Sequence, residues 1–328
     1  MFWKKKPSVL VLGSDGMLGT DVFEMLRTAT LDHESGIGYV YGMGRSELES
    51  YGILKRHGLG DFMRTNRKFD ICVNCIAMTD TASAENTKDG KDLSYRLNAL
   101  LPMFLAESCS YWKTKLVHIS TDYVFGGDRT DHAYTIDDSP FPTNVYGEHK
   151  LLGEKLIECE FSKKGSQKNF AILRTSWLYG KANSKSFIHR FIANAVRASA
   201  GGKDSVDVTE NEISVPTSTK FLSTVIIDDF VKKWSSGVFH AVPSGKPISR
   251  AEWASRILDL FHEYGCNDKL TRLNKDFVHP VVRAGLYNPE YSALEPTILT
   301  SSAFLHDADE WLKSFIHDNG KTICEAIW

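Results

Sequence analysis

The 328-residue chain has no uninterrupted apolar run approaching the roughly 18 residues of a bilayer-spanning helix, so no membrane span is expected. It also lacks an excess of either charge. Its 39 Lys and Arg against 41 Asp and Glu give a formal net charge of −2 and a pI near 6.6, with no basic stripe to suit a nucleic-acid partner. Internal repeats and low-complexity segments are absent. The lysine run in MFWKKKPSVLVLG precedes an apolar segment too short for a secretory signal, and Gly-Ser-Asp-Gly follows at once, so a cytoplasmic protein starting near its first strand is expected. Cysteine is sparse, at six residues: Cys72, Cys75, Cys109, Cys159, Cys266 and Cys324. Cys72 and Cys75 have a C-x-x-C spacing inside FDICVNCIA, which reads as a buried strand; a spacing of three sends strand side chains to opposite faces and argues against a shared metal. Reduced core thiols are the expectation for all six.

What is present is a succession of short apolar runs, each followed by a turn and a helical pattern. A chain of this length can bury the core of one large α/β unit with a smaller appendage. SVLVLG (8–13) suits a buried parallel strand, and TDVFEMLRTA after Gly19 has helical periodicity. Between them lies Gly13-Ser-Asp15-Gly16-Met17-Leu18-Gly19, a G-x-x-G-x-x-G turn. Gly13 would permit the tight turn, Gly16 the approach of a pyrophosphate to the helix N-terminus, and Gly19 close helix–strand packing. Further strands are expected at 37–43, 69–77, 115–120 and 237–242, with another opening NFAILRTSWLYG (169–180). Helices are expected in parts of 47–67, over 91–112, from near Thr143, and at 184–200, 217–235 and 249–264. The alternation weakens after about 180, where Pro216, Pro243, Pro247, Pro280, Pro289 and Pro296 accumulate. The fold class is therefore α/β: a Rossmann-type doubly wound parallel sheet over 1–182 with the catalytic residues, and a smaller mixed substrate-binding region over 183–328, not independently folding and open to interleaving with the first.

Chemistry concentrates between Val117 and Lys150. HISTDYVFGG brings Thr121 to a strand end, and in Tyr146-Gly-Glu-His-Lys150 the phenol and ammonium, four residues apart, share a helix face. A hydroxyl, a titratable phenol and a cation can so converge. Arg45 and Ser46 follow the second strand, where a cation reads a 2′-phosphate, so NADPH is favoured and NAD stays open. Ala77 and Thr79 lie in the polar turn after the third strand. Asn98, in mid-helix, is placed to bond a neighbouring irregular strand, and His118 reads as a core histidine.

The glycine turn, Asn74, Asn98, Ser120-Thr121 and Tyr146-x-x-x-Lys150 together resemble the extended short-chain dehydrogenase/reductases. More narrowly, HISTDYVFGG, NVYGEHKLLGE and LRTSWLYG are similar to the dTDP-4-dehydrorhamnose reductases, over about residues 8–182. The resemblance implies hydride delivery from NAD(P)H to the C4 carbonyl of a nucleotide-linked 4-keto-6-deoxy sugar, with Thr121, Tyr146 and Lys150 catalytic. It implies cofactor contacts at Gly13, Asp15, Gly16, Met17, Leu18, Gly19, Arg45, Ser46, Ala77, Asn98, Tyr146 and Lys150. Bringing a tyrosine pKa of about 10 toward neutrality requires about 4 kcal/mol, the order supplied by one cation about 4 Å away at an effective dielectric near 20; Lys150 is expected to tune Tyr146 in this way. Thr79, Tyr123 and Trp177 are candidates for the sugar pocket, Trp177 through a flat ring face. No metal is carried over, although Asp21 falls where some family members place a carboxylate, and a homodimer stays open.

Sugar-nucleotide 4,6-dehydratases resemble the chain too, but they carry an Asp-Glu pair after the threonine where this sequence has Asp122-Tyr123. An NADP-binding regulatory subunit, similar to the methionine adenosyltransferase beta subunit, and a UDP-sugar epimerase/reductase are the alternatives that retain the same motifs.

Overall fold

The computed structural model describes residues 6–32, 34–127, 132–181, 186–264, 273–283, 287–297 and 299–327. Five strands, β1 (Val9–Leu12), β2 (Val40–Met43), β3 (Ile71–Asn74), β4 (Lys115–Thr121) and β5 (Phe170–Thr175), join the late strand Gly237–His240 in one parallel sheet. Its order is Gly237–His240, β5, β4, β3, β1, β2. β1 and β3 end before their apolar runs do, the last residues turning away above the sheet, whereas β2 begins late in its run and β4 continues one residue further, to Thr121.

Both faces of the sheet are covered, and side-chain alternation distributes the core between them. Val9, Val11, Ile71, Val73, Val117, Ala171 and Leu173 face one cluster, with Val22 and Leu26 of the helix Met17–Leu31. Leu10, Leu12, Cys72, Leu116, Phe170 and Ile172 face the other, with Leu105 of Leu101–Trp112 and Ile157 and Phe161 of Val145–Lys163. Cys72 and Cys75 fall on these opposite faces, as the strand spacing requires. Cys72, Cys75, Cys109 and Cys159 are free thiols, but Cys159 is exposed and Cys324 is disulfide-bonded, which corrects the reading of six reduced core thiols; Cys266 lies outside the described residues.

The helix expected over 91–112 is three segments: Lys88–Ser94, a π-helical turn Tyr95–Leu100, and Leu101–Trp112. The widened turn carries Asn98 inward. After residue 200 the chain returns to the sheet. Thr219–Val225 and the π-helical Ile226–Lys232 bury Phe221, Leu222, Val225, Ile226 and Phe230 in the same cluster as Val22 and Leu26, and Gly237–His240 then pairs with β5. The separate C-terminal core is built on Trp253, Ile257 and Phe261 of Arg250–Tyr264 and on Leu312, Phe315 and Ile316 of Ala308–Ile327. That last helix was not anticipated, since Gly320 and its Asp-Asn neighbours interrupt an otherwise apolar stripe. The parallel pair Val206–Thr209 and Val278–Val281 was also missed; its partners are some 70 residues apart in sequence and lie outside the main sheet.

No helix among the described residues is long and apolar enough to cross a membrane.

Candidate active site

The helix Val145–Lys163 brings its two titratable side chains to the end of β4. Asn144 caps it, its Oδ1 accepting from the Gly147 N–H at 2.7 Å. Gly147 then lets the helix touch the preceding loop: a Cβ there would stand 2.1 Å from the Tyr123 carbonyl oxygen. With the helix seated, Tyr146 (9 % exposed) comes within hydrogen-bond reach of Thr121 (6 %), and Lys150 (1 %) lies beneath them.

These groups open onto a cleft of about 950 Å³ whose wall includes Gly16, Met17, Leu18, Arg45, Ala77, Thr79, Thr121, Tyr123, Tyr146, Lys150 and Trp177. Gly13, Asp15, Gly19, Ser46 and Asn98 are not on that wall. Gly13 adopts φ 77° to make the turn, and a Cβ on Gly19 would stand 2.0 Å from the Gly13 carbonyl oxygen, so both act by letting strand and helix meet. The Asp15 carboxylate accepts the Arg45 backbone N–H at 2.8 Å and ties the glycine turn to the end of β2. Ser46 is exposed. Asn98 accepts from the Met78 N–H (3.1 Å) and donates to its carbonyl (2.9 Å), so it shapes the Ala77–Thr79 turn from behind.

The electrostatics depart from expectation. Burial lowers the Lys150 pKa to about 8, against the opposing pull of Glu154, while burial raises that of Tyr146, opposed by its hydrogen bond with Thr121. Lys150 Nζ donates to the Ile119 carbonyl (2.6 Å) and lies 3.3 Å from His118 Nε2. Lys150 Nζ is therefore engaged by β4, and what opposes the rise of the Tyr146 pKa is the Thr121 hydrogen bond. His118 is fully buried, as expected of a core histidine, and is the middle of a polar chain that continues to Asn74 at 3.0 Å.

Asp122 fastens the end of β4 to the later chain. Its Oδ1 accepts from Thr121 Oγ1 (3.0 Å), and its Oδ2 from Ser214 Oγ (3.1 Å) and Ser292 Oγ (2.5 Å). Burial raises its pKa to about 6 despite those donors. Trp177 does not offer a free ring face. It stacks on Trp253 at 5.6 Å, and the Arg250 guanidinium lies 3.4 Å from its centroid, itself 3.4 Å from Glu212. Arg250, Glu212, Arg190 and Arg283 are cleft residues that the sequence did not disclose, because each reaches the wall by tertiary packing and none stands in a short motif. Asp21 hydrogen-bonds Thr219, and no cluster of three metal-ligating side chains occurs among the described residues.

Residues 7–316 match the family described as the RmlD substrate binding domain. The chain belongs to that family. Similar proteins include a dTDP-4-dehydrorhamnose reductase of Mycobacterium tuberculosis, 30% identical over 70% of both chains, and a dTDP-4-keto-6-deoxy-D-glucose reductase of Streptomyces niveus, 32% identical over 72% of this chain and 73% of that one. Among solved structures, a dTDP-4-dehydrorhamnose reductase from Bacillus anthracis in complex with NADP superimposes with a TM-score of 0.75 at 26% identity, over 95% of this chain and 99% of that one. The RmlD family relationship thus runs well beyond the 8–182 region where the motifs lie.

The Asp122 carboxyl yields a pH prediction. Its folded pKa of about 6 exceeds the ordinary 3.8, so between those values the folded state holds more protons than the unfolded and this group's contribution to stability falls as pH rises. In urea titrations from pH 4 to 7, Asp122→Asn should remove that decline relative to wild type. An identical pH dependence in the two proteins would show that Asp122 titrates normally.

Proposed function

We propose that the protein is an NADPH-dependent reductase of the C4 ketone of a nucleotide-linked 4-keto-6-deoxyhexose, the reaction type of dTDP-L-rhamnose synthesis. The observation that carries this reading is the meeting, on one cleft wall, of Thr121, Tyr146 and Lys150 with the N-terminus of the helix Met17–Leu31. That terminus fits a dinucleotide phosphate: Gly16 caps it without a side chain, its first turn holds no acidic residue, and Gly16, Met17 and Leu18 face the cleft. Exposed Arg45 stands on the same wall, where it suits the 2′-phosphate of NADPH.

When bound, the reduced nicotinamide supplies the hydride to C4. The carbonyl π pair moves to oxygen, to which Thr121 Oγ1, its single O–H turned from Asp122 Oδ1, donates a hydrogen bond and Tyr146 Oη delivers a proton. Tyr146 is a protonated phenol at neutral pH, and a nascent alkoxide, about as basic as hydroxide, can accept its proton; burial raises the Tyr146 pKa and so reduces the drive for that transfer, which the Thr121 hydrogen bond counters. Lys150 would hold the nicotinamide ribose once its Nζ turned from the Ile119 carbonyl. Thr79 and Tyr123 line the sugar end. At Trp177 it is the Arg250 guanidinium lying over the ring that meets substrate, where it suits a diphosphate. In this reading residues 1–182 hold cofactor and catalytic groups and 183–328 form the substrate lobe, with 219–240 returned to the sheet. The reading includes a cytoplasmic location.

The test is oxidation of NADPH, followed by absorbance, on mixing the protein with dTDP-4-keto-6-deoxy-L-mannose. Turnover should fall roughly 10²–10⁴-fold in Tyr146→Phe with NADPH affinity little changed. Absence of oxidation by the wild type, with tight NADP binding, would favour the regulatory-subunit reading. Arg45→Asp should reduce the preference for NADPH over NADH by about tenfold, the scale of one charge-assisted contact. An unchanged ratio would place recognition of the 2′-phosphate elsewhere.

A further inference from the structure

Beneath the cleft, a line of buried polar groups runs across the sheet and ends on Lys150. The Ile76 backbone N–H donates to Asn74 Oδ1 at 3.1 Å. Asn74 Nδ2 is 3.0 Å from His118 Nδ1, and His118 Nε2 is 3.3 Å from Lys150 Nζ. Asn74, His118 and Lys150 are all 0–1 % exposed, so water cannot adjust the pattern.

The direction of every bond follows from the first. A backbone N–H can only donate, so Asn74 must turn its carbonyl to Ile76 and its NH₂ to His118. His118 Nδ1 must then accept. A neutral imidazole whose Nδ1 accepts carries its proton on Nε2, which points at Lys150. His118 is neutral, since burial holds its pKa well down. An ammonium has three donors and no lone pair, and faces another donor there; an amine accepts the Nε2–H while still donating to Ile119.

We propose that His118, oriented by Asn74, is a positioning residue that favours the uncharged, retracted form of Lys150, which must turn away from His118 as it takes up its proton. The proposal rests on the functional reading above for the use of Lys150. The charged group that acts on Lys150 is Glu154, one turn further along its own helix and ion-paired to Arg174 of β5 at 2.8 Å; the β4 groups it touches are the Ile119 carbonyl and His118. Of these, Glu154 favours the ammonium, and the depressed pKa of Lys150 accords with an environment that outweighs it.

The tautomer is tested without substrate or turnover. In ¹⁵N-histidine-labelled, cofactor-free protein, the long-range ¹⁵N–¹H spectrum should show the His118 ring, assigned by its loss in His118→Asn, protonated at Nε2 alone; protonation at Nδ1 overturns the proposal. The role is tested by the alkaline limit of NADPH binding. Asn74→Asp presents a carboxylate that accepts from Nδ1–H, which turns Nε2 into an acceptor for the ammonium. The limit should move upward by about one pH unit, the worth of one charge-assisted hydrogen bond. A plain Coulomb effect of the new carboxylate would do the same, so the substitution is repeated in a His118→Leu background. If that protein does not fold, His118→Asn, which keeps the bond to Asn74 but cannot reach Lys150, replaces it. Loss of the shift without the imidazole supports the relay; persistence of the shift, or no shift with His118 present, overturns it. Failure of sugar reduction alone would leave these readouts intact and count only against the functional reading.

Discussion

The seating of one helix on one strand end governs this site. Val145–Lys163 approaches the loop after β4 so closely that any side chain at position 147 would collide with the Tyr123 carbonyl, and that approach buries Tyr146 and Lys150 together. Burial then sets the chemistry. The phenol becomes a weaker acid, countered by its hydrogen bond with Thr121, and the ammonium becomes easier to neutralise, which makes its neighbours on β4 matter. Asp122 extends the same strand end to Ser214 and Ser292, so the later chain is fastened at the point where Thr121 and Tyr146 meet.

Much of this was legible in the sequence because it rests on local rules. Short apolar runs between turns became six parallel strands, and G-x-x-G-x-x-G became the turn in which Gly13 takes a positive φ and Gly19 meets it. A spacing of four put Tyr146 and Lys150 on one helix face. Asn98 was correctly placed against an irregular segment, though it supports the wall from behind.

What was not legible depends on groups far apart in sequence. Spacing gave Lys150 a position but not a direction; the Ile119 carbonyl and His118, some thirty residues earlier, turn it toward β4. Trp177 was read as a bare ring, yet Arg250 and Trp253 cover it after more than seventy intervening residues. The C-terminal helix Ala308–Ile327 owes its burial to Arg250–Tyr264, and no local pattern announces that partnership. The cleft wall therefore has two origins: short motifs supply Gly16, Thr121, Tyr146 and Lys150, and tertiary packing supplies Arg190, Glu212, Arg250 and Arg283.

The central claim is that hydride passes from the nicotinamide to the sugar's C4 in the cleft where Tyr146 waits with its proton. Incubating the protein with a dTDP-linked 4-keto-6-deoxyhexose and NADPH deuterated at the transferring position, and locating the label in the product by NMR, tests it most directly. The account predicts one deuterium at C4 of a 4-hydroxy product. A product without the label, or with it at any other carbon, would contradict it.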